Sequence, residues 1–193
     1  MRRISLRLYV TLDGISEFPE YPGSGEAPTD EPDELATEMW TKSWENIDTL
    51  LFDRETYEQW AEFWPISQRP PEEHGWYRQM SEFAERAEKV VFSDTLKEPV
   101  WRNTRVLSGD LAAAVATLRS ESGKEMALVG STRLAQQFMR LHLLDEYFLA
   151  VFPVVLGRGP SLFGALERQE TLELLEVKRC RFGELFLHYR SLR

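Results

Sequence analysis

The sequence predicts an α/β sandwich, with a central, mostly parallel sheet, antiparallel strands at its C-terminal end and helices on both faces. Segments with strand-like alternation are separated by segments with helical spacing of apolar residues, as in strand–helix–strand units. The last two strands meet near Phe182-Gly183, which indicates a closing hairpin. A chain of 193 residues with 42% hydrophobic residues can form one full-sized core. We therefore expect a single domain over residues 1–193.

The strands follow from short apolar runs. From Arg3 to Thr11, the apolar residues Ile4, Leu6, Leu8 and Val10 occupy alternate positions, which is typical of a strand with one strongly apolar face. Residues 126–129 form a continuous apolar run of the kind found in fully buried parallel strands. The sequence predicts eight strands, beginning near Arg3, Thr49, Lys89, Thr104, Met126, Asp145, Leu172 and Leu185.

Helices are predicted where apolar residues recur every three or four positions. They begin at Asp33 and continue past Trp44 to Ile47, and then cover Arg54–Trp60, Trp76–Ala87, Asp110 to near Gly123, and Thr132–His142. Residues 15–32 and 64–75 are rich in proline and glycine and are predicted loops. A loop as long as the first is usually a functional lid or disordered.

Charge argues against one class of partner. The formal net charge is −9, and 20 of the 32 acidic residues but only 5 of the 23 Lys and Arg lie between Asp13 and Glu88. Nucleic-acid binding requires a clustered basic surface, so we expect no nucleic-acid partner. The basic remainder can attract a small anionic ligand, although solvated faces of unequal sign explain the charge equally well.

Composition also predicts the compartment. No apolar run reaches the roughly 18–20 residues of a membrane span, and the N-terminus lacks a signal-peptide pattern. The lone Cys180 excludes an internal disulfide and a cysteine-rich metal site, and it is predicted to be a structural thiol. The sequence therefore predicts a cytoplasmic protein with no membrane partner.

Three turns that directly follow predicted strands contain phosphate-binding residue types. Gly130-Ser131 stands between a buried strand and a helix, where free N–H groups and the helix dipole favour an anion. Arg54 and Thr56 follow the second strand, with Thr56 as a candidate helix cap, and Ser93 follows the third. Parallel strands bring such turns to one edge of a sheet, where α/β proteins bind ligands. Each turn alone is better explained as a plain connection with a surface arginine or a capping hydroxyl, and the convergence of the three turns is what favours a ligand site.

Metal and nucleophile chemistry has little support. His74, His142 and His188 are far apart in sequence and lack the spacing of metal ligands, so no metal site is predicted. No G-x-S-x-G motif is present. The tryptophans of the acidic half are expected mainly in the core, although Trp40 and Trp44 are candidates for stacking on a flat ring.

Several segments together resemble the dihydrofolate-reductase-like superfamily, and most closely the C-terminal reductase domain of the riboflavin-biosynthesis enzyme RibD and its stand-alone bacterial relatives. The stretch Pro153-Val154-Val155-Leu156-Gly157 and the turn Gly130-Ser131 are the most specific parts. The resemblance covers nearly the whole chain, in the family's order: Tyr9–Gly14, Leu51–Glu58, Val90–Leu96, Trp101–Thr104, Val129–Ala135 and Asp145–Phe163. It implies a dihydrofolate-reductase-like three-layer sandwich.

The resemblance also implies an activity. Family members bind NADPH across the carboxyl ends of the strands and transfer hydride to a heterocycle, an imine or a carbonyl, as 5-amino-6-(5-phosphoribosylamino)uracil reductase does. Carried over by position, the cofactor phosphates would be held by Gly130, Ser131, Thr132 and Arg133, and the adenosine end by Arg54, Thr56 and Ser93. Asp13 and Gly14 would begin the loop over the nicotinamide. Relatives commonly form homodimers, and apolar strands near Phe148–Leu156 and Leu185–Tyr189 are compatible with that.

Two departures from the family pattern bear on the cofactor. Relatives usually have Gly-Arg-Arg-Thr where this chain has Asp53-Arg54-Glu55-Thr56, and Ser-Arg-Thr-Leu where it has Ser93-Asp94-Thr95-Leu96. The carboxylates of Glu55 and Asp94 would repel the 2′-phosphate of NADPH and would tolerate the ribose hydroxyl of NADH. NADPH or NADH is thus expected, with the family's preference for NADPH weakened or reversed.

Hydride transfer requires a proton source, and Asp13 is the nearest acid by position. Termination of a strand by an Asp-Gly turn explains Asp13 equally well. Glu17, Glu38 and Glu45 are weaker candidates for a carboxylate that faces a small-molecule substrate. A non-catalytic ligand-binding or regulatory domain that kept the fold is the alternative function.

Overall fold

The computed structural model describes residues 1–17, 41–73 and 75–192. Within these ranges residues 41–44 are helical, and Ile66–Gln68 forms one short 3-10 helix. The α-helices with defined bounds are α1 (Arg54–Phe63), α2 (Trp76–Arg86), α3 (Leu111–Ser120) and α4 (Thr132–Arg140). The strands are β1 (Ile4–Thr11), β2 (Ile47–Asp53), β3 (Glu88–Phe92), β4 (Thr104–Leu107), β5 (Glu125–Val129), β6 (Glu146–Phe152), β7 (Leu172–Arg179) and β8 (Leu185–Ser191).

These strands form one sheet in the order β4-β3-β2-β5-β1-β6-β8-β7. The pairs β3–β4, β2–β3, β2–β5 and β1–β6 are parallel, and the pairs β6–β8 and β7–β8 are antiparallel. The predicted fold class is confirmed: the sheet is mostly parallel, its C-terminal strands are antiparallel, and all eight predicted strands are present. The chain divides into two compact units, which are described separately, and the single domain over 1–193 stays a prediction.

Unit 1 consists of Met1–Ile4 and Trp40–Ser131 and contains the four parallel strands β4-β3-β2-β5. Six of the seven residues of β2 are buried, so both faces of the strand are covered, as is typical of a central parallel strand. One layer is a cluster that includes Leu50, Phe52, Tyr57 and Trp101, against which Trp60, Trp64 and Trp76 pack. The described tryptophans of this unit are therefore mainly core residues, as predicted. Asp110 caps α3 by accepting the N–H of Ala113 at 2.7 Å, which confirms the predicted helix start.

Unit 2 consists of Ser5–Met39 and Thr132–Arg193 and contains α4 and the strands β6, β8 and β7 together with most of β1. Strand β6 ends at Phe152, directly before Pro153, because proline cannot donate to the ladder. The predicted hairpin joins β7 to β8 and is closed by the N–H of Cys180 on the carbonyl of Glu184 at 2.8 Å. Cys180 is a buried thiol that belongs to no disulfide, in agreement with the structural role predicted for it.

Several helix boundaries differ from the prediction. Helix α1 continues to Phe63 rather than ending at Trp60, and α3 ends at Ser120 rather than near Gly123. Ile47 is the first residue of β2 and not part of a helix, because its apolar side chain enters the sheet core after the turn at residues 45–46. Helix α4 ends at Arg140 rather than His142, which has a positive φ of 52° that an α-helix cannot contain. The predicted helix from Asp33 lies outside the described residues except for residues 41–44, as does most of the predicted loop 15–32.

Two kinds of feature are absent from the described residues. None of their helices combines the length and the apolar character that crossing a membrane requires. Among the same residues, no group of three or more His, Cys, Asp or Glu side chains is arranged to hold a metal ion.

Candidate functional site

The candidate site in unit 1 is the edge of the sheet at which its four parallel strands end. Strands β4, β3, β2 and β5 run in the same direction, so the residues that follow them lie along one edge. Three of the four turns there contain residues that the sequence singled out, namely Arg54 and Thr56, Ser93, and Gly130 with Ser131. Hydrogen bonds connect each turn to the next, as the following contacts show.

Asp53 connects the turn after β2 to the turn after β5. Its Oδ1 accepts the backbone N–H of Thr56 at 2.9 Å, and its Oδ2 accepts the hydroxyl of Ser131 at 2.5 Å. Both side chains are buried, with Asp53 8% and Ser131 6% exposed. The prediction that Thr56 caps α1 is wrong, because Asp53 is the residue whose side chain accepts the first-turn N–H. The hydroxyl of Ser131 is directed to Asp53, so that the buried carboxylate is hydrogen-bonded on both oxygens.

Gly130 is required in its turn for two reasons. Its φ is +76°, a left-handed conformation that residues with a side chain rarely adopt. A Cβ on Gly130 would also lie 2.4 Å from Cγ2 of Thr56, which is an impossible contact. The space beside Gly130 is therefore filled by the buried Thr56 side chain. Packing between α1 and the turn explains this glycine without a ligand.

Arg54 connects the turn after β2 to the turn after β3. It is the first residue of α1 and is exposed; its Nη1 donates to the hydroxyl of Thr95 at 3.2 Å and its Nε to Glu58 at 2.6 Å. Ser93 organises the second of these turns, since its hydroxyl oxygen accepts the N–H of Thr95 at 3.2 Å and of Leu96 at 3.1 Å. The structure thus brings the predicted residues Arg54 and Ser93 to neighbouring turns.

Asp94 connects the turn after β3 to the turn after β4. Its Oδ1 accepts the N–H of Gly109 at 3.1 Å, while its backbone carbonyl accepts a hydrogen bond from Lys97 at 3.2 Å. Together with Asp53 and Arg54, it completes a series of side-chain bonds that crosses all four turns. The edge of unit 1 is therefore a connected polar surface in which charged side chains hold the turns in place.

A dinucleotide cofactor fits this edge only in part. The exposed guanidinium of Arg54 suits an anionic ligand. The turn at Gly130-Ser131 does not suit one, because the Ser131 hydroxyl donates to Asp53 and its N–H donates to the carbonyl of Val129 at 2.9 Å. The Asp53 carboxylate adds a negative charge there. Side-chain donation from Ser131 to a phosphate is thus incompatible with the observed bonds.

The remaining predicted residues belong to unit 2. Thr132 and Arg133 are the first two residues of α4, as the sequence predicts. Asp13 follows β1 and is exposed; its carboxylate accepts the hydroxyl of Thr11 at 2.5 Å and the N–H of Gly157 at 2.7 Å. The hydrogen bond from Thr11, followed by the one from Gly157, holds the pKa of Asp13 below its usual value. These contacts favour the turn-stabilising alternative for Asp13.

The weaker candidates are scattered. Glu17 in unit 2 and Glu45 in unit 1 are exposed. Trp44 is buried and packs on Phe83 with 5.2 Å between ring centroids, so it is a core residue. The predicted candidates Glu38, Trp40 and His74 lie outside the described residues.

Sequence reasoning missed the functions of Asp53 and Asp94 in joining the turns. A local signal for Asp53 existed, because aspartate directly before a helix is a common cap. Its bond to Ser131 spans 78 positions and has no local signal. The bond from Gly109 to Asp94 spans 15 positions and depends on the pairing of β3 with β4.

Comparison with known proteins identifies the family. The family model described as "RibD C-terminal domain" matches residues 2–186. The chain belongs to the RibD C-terminal domain family. Among its relatives, the uncharacterized proteins YyaP and YwjB of Bacillus subtilis are 29% and 25% identical to it, over 97% of this chain in both cases and over 94% and 97% of theirs.

Solved structures of this type share its fold. A putative riboflavin biosynthesis protein from Shewanella sp. PV-4 matches with a TM-score of 0.70 at 20% identity, over 99% of both chains. A diaminohydroxyphosphoribosylaminopyrimidine deaminase/5-amino-6-(5-phosphoribosylamino)uracil reductase from Thermotoga maritima matches with a TM-score of 0.61 at 17% identity. That match covers 99% of this chain and 57% of the Thermotoga protein. At these identities the likeness shows the fold, which agrees with the resemblance that the sequence motifs indicated.

Proposed function

We propose that this chain is a reductase that uses a nicotinamide dinucleotide to reduce a small heterocyclic, imine or carbonyl substrate. Membership of the RibD C-terminal domain family supports the reaction class. The observation that carries the proposal is the connected polar edge of unit 1, on which Arg54 is an exposed cation. Ligands of α/β proteins bind at the carboxyl ends of the strands, which is where this edge lies.

In this proposal the residues of the edge bind and orient the cofactor. When bound, the nicotinamide supplies a hydride to the substrate. Arg54 contacts an anionic group of the dinucleotide, and the turn built by Ser93 supports its adenosine end. Thr56 stays packed against Gly130 and positions that turn rather than contacting the phosphates. Thr132 and Arg133, at the start of α4, are proposed to contact the cofactor phosphates because of their position in the family's motif.

The proposal is tested by titrating NADPH and NADH against the protein and following nicotinamide fluorescence. Binding of at least one of them below millimolar concentration is expected. Replacing Arg54 by Ala should weaken binding about ten-fold, which corresponds to about 1.4 kcal/mol. Arg78→Ala is a matched control, because Arg78 is also paired with a glutamate four residues on, Glu82, but lies on α2. If neither NADPH nor NADH binds at millimolar concentration, the proposed reductase activity is excluded.

One observation favours a second candidate, a ligand-binding or regulatory domain without catalysis. The Ser131 hydroxyl donates its hydrogen bond to Asp53 and is therefore not available to a cofactor phosphate. A chain that had lost cofactor binding would show such internal pairing. The same titrations separate the candidates, because the regulatory domain should bind neither NADPH nor NADH.

A further inference from the structure

Asp53 occupies the position of an anion at the turn after β5. We infer that Asp53 determines ligand specificity there: its carboxylate takes the hydroxyl donor of the turn and excludes phosphate-bearing ligands from Gly130-Ser131. The inference rests on the proposed function for its effect on dinucleotides, but the exclusion applies to any phosphate group. Its first consequence is that the native chain binds dinucleotides weakly through this turn.

The donors around Asp53 are engaged within the chain. Ser131 has one hydroxyl proton, which it donates to Oδ2 of Asp53, and its backbone N–H donates to the carbonyl of Val129. The N–H of Thr56, one of the first-turn groups of α1 that attract anions, donates to Oδ1 of Asp53. An incoming phosphate would have to displace a carboxylate from two of these three donors.

Charge acts in the same direction. Asp53 is only 8% exposed, so salt and water screen its carboxylate poorly. A phosphate at the neighbouring turn would bring a second negative charge to within a few ångströms of it, in a region of reduced dielectric constant. The positive end of the α1 dipole already interacts with the carboxylate of its own cap and is not available to offset that repulsion.

The carboxylate cannot move aside without cost. Asp53 is fixed at the start of α1 by its capping bond, and α1 is fixed against the turn by Thr56, whose methyl group fills the space beside Gly130. Rotation of the Asp53 side chain would leave two buried donors without an acceptor. The exclusion is therefore a fixed property of the folded chain.

The test is Asp53→Asn, with inorganic pyrophosphate and NADPH as probes and calorimetry as the measurement. Asparagine keeps an oxygen to cap α1 but removes the charge. The dissociation constant of both probes is expected to fall at least about ten-fold. Glu62→Gln, which removes an exposed charge from the last turn of the same helix, is the matched control and should change neither constant. If Asp53→Asn melts at a much lower temperature, Asp53→Ser replaces it, since serine is also a good cap.

A double-mutant cycle separates this mechanism from a general charge effect. Ser131→Ala should leave pyrophosphate affinity unchanged in the native background, where the hydroxyl is given to Asp53. In the Asp53→Asn background, the same change should reverse part of the gain, because the hydroxyl is then available to the phosphate. A general charge effect would give the same result for Ser131→Ala in both backgrounds and would contradict the inference.

The outcomes distinguish the inference from the proposed function. If Asp53→Asn tightens pyrophosphate binding while neither variant nor native protein binds a dinucleotide, the inference is supported and the reductase is excluded. If NADPH binds the native chain and Asp53→Asn equally well, the reductase stands and the inference is overturned. Unchanged affinity of Asp53→Asn for both probes also overturns it.

Discussion

Oδ1 of Asp94 accepts the N–H of Gly109 at 3.1 Å, which fixes the carboxylate between the turns after β3 and β4. Asp94 is therefore a structural acid of the edge as well as a charge on it. Its sequence neighbour Thr95 accepts a hydrogen bond from Arg54. The Asp94 carboxylate and the Arg54 guanidinium, which the proposed function assigns to anion binding, therefore belong to neighbouring turns. Any ligand anion that Arg54 attracts also experiences the charge of Asp94.

This arrangement predicts a weakened preference for NADPH over NADH. Replacing Glu55 in the first turn of α1 by Arg should raise NADPH affinity about three- to ten-fold and leave NADH affinity within about two-fold, since only NADPH has a 2′-phosphate. Asp94→Asn should have the same sign, and it retains an acceptor for Gly109. The dissociation constants are measured by fluorescence titration of each cofactor.

Glu62→Arg is the control for charge alone, because it makes the same change in the last turn of α1. Equal gains for NADPH in Glu55→Arg and Glu62→Arg would show that net charge, and not the position of Glu55, determines the affinity.

The fold was predictable because its signals are local. Alternation in Ile4–Thr11 and the apolar run of β5 identify strands from their own residues, and Phe182-Gly183 identifies the hairpin. The predicted helix wrongly includes Ile47, because helical spacing from Trp44 continues by chance into the first residue of a strand. A single apolar residue at an element boundary fits both periods.

The site was predictable only in outline. Residues that follow parallel strands must lie at one edge, so the grouping of Arg54, Ser93 and Gly130 follows from topology. Their partners do not follow from it. The bond between Asp53 and Ser131 depends on the pairing of β2 with β5. Because of this bond, a turn that was expected to attract an anion already has a carboxylate beside it.

Asp13 is expected to stabilise the segment at Leu156 and Gly157, whose N–H groups it accepts, and not to donate a proton to the substrate. Its lowered pKa keeps the carboxylate ionised at neutral pH, and an ionised group cannot donate a proton. Asp13→Asn should therefore leave the shape of the pH–rate profile unchanged between about pH 5 and 8. A pH dependence of the native rate that disappears in Asp13→Asn would restore the acid role.

The same residue predicts a pH dependence of stability. A carboxylate with a lowered pKa stabilises the folded state above its unfolded pKa, and this contribution is lost as the pH falls through the folded pKa. Native protein should therefore exceed Asp13→Asn in stability at neutral pH, and the difference should shrink below about pH 4. Urea unfolding at a series of pH values measures it, and a difference independent of pH would contradict this cause.

Lys89 should make the protein more stable at alkaline pH. It is completely buried, donates to the carbonyl of Ala84 at 2.9 Å, and burial lowers its pKa to about 8. Between the folded and unfolded pKa values the unfolded chain binds more protons, so the free energy of unfolding rises with pH. Relative to Lys89→Met, native protein should gain about 1–2 kcal/mol between about pH 8 and 9.5. Lys97→Met, an exposed lysine, should show no such difference from native protein.

The chain is expected to form a homodimer through its C-terminal strands. Strand β7 is an outer strand of the sheet and exposes Leu174 and Val177, and exposed apolar side chains on such a strand favour association. Sedimentation at micromolar concentration should give twice the chain mass of 22.5 kDa. Val177→Lys should shift it toward the monomer, while Leu12→Lys, at another exposed apolar residue of unit 2, should not. A native chain that sediments at 22.5 kDa would exclude the dimer.

The packing of Gly130 on Thr56 predicts how the turn after β5 responds to a side chain. Gly130→Ala should lower the free energy of unfolding by roughly 2–4 kcal/mol, because it adds left-handed strain and a clash at 2.4 Å with Cγ2 of Thr56. Gly109→Ala, at a φ of +87° with nothing near the added Cβ, measures the strain alone, roughly 1–2 kcal/mol. Adding Thr56→Ser removes the methyl group. It should therefore restore the part of the unfolding free energy that the clash costs, but not the part that the left-handed strain costs. Chemical denaturation of the single and double variants measures both contributions. If Gly130→Ala lowers the free energy of unfolding equally with and without Thr56→Ser, contact with the Thr56 methyl group is not the reason that a glycine is needed at position 130.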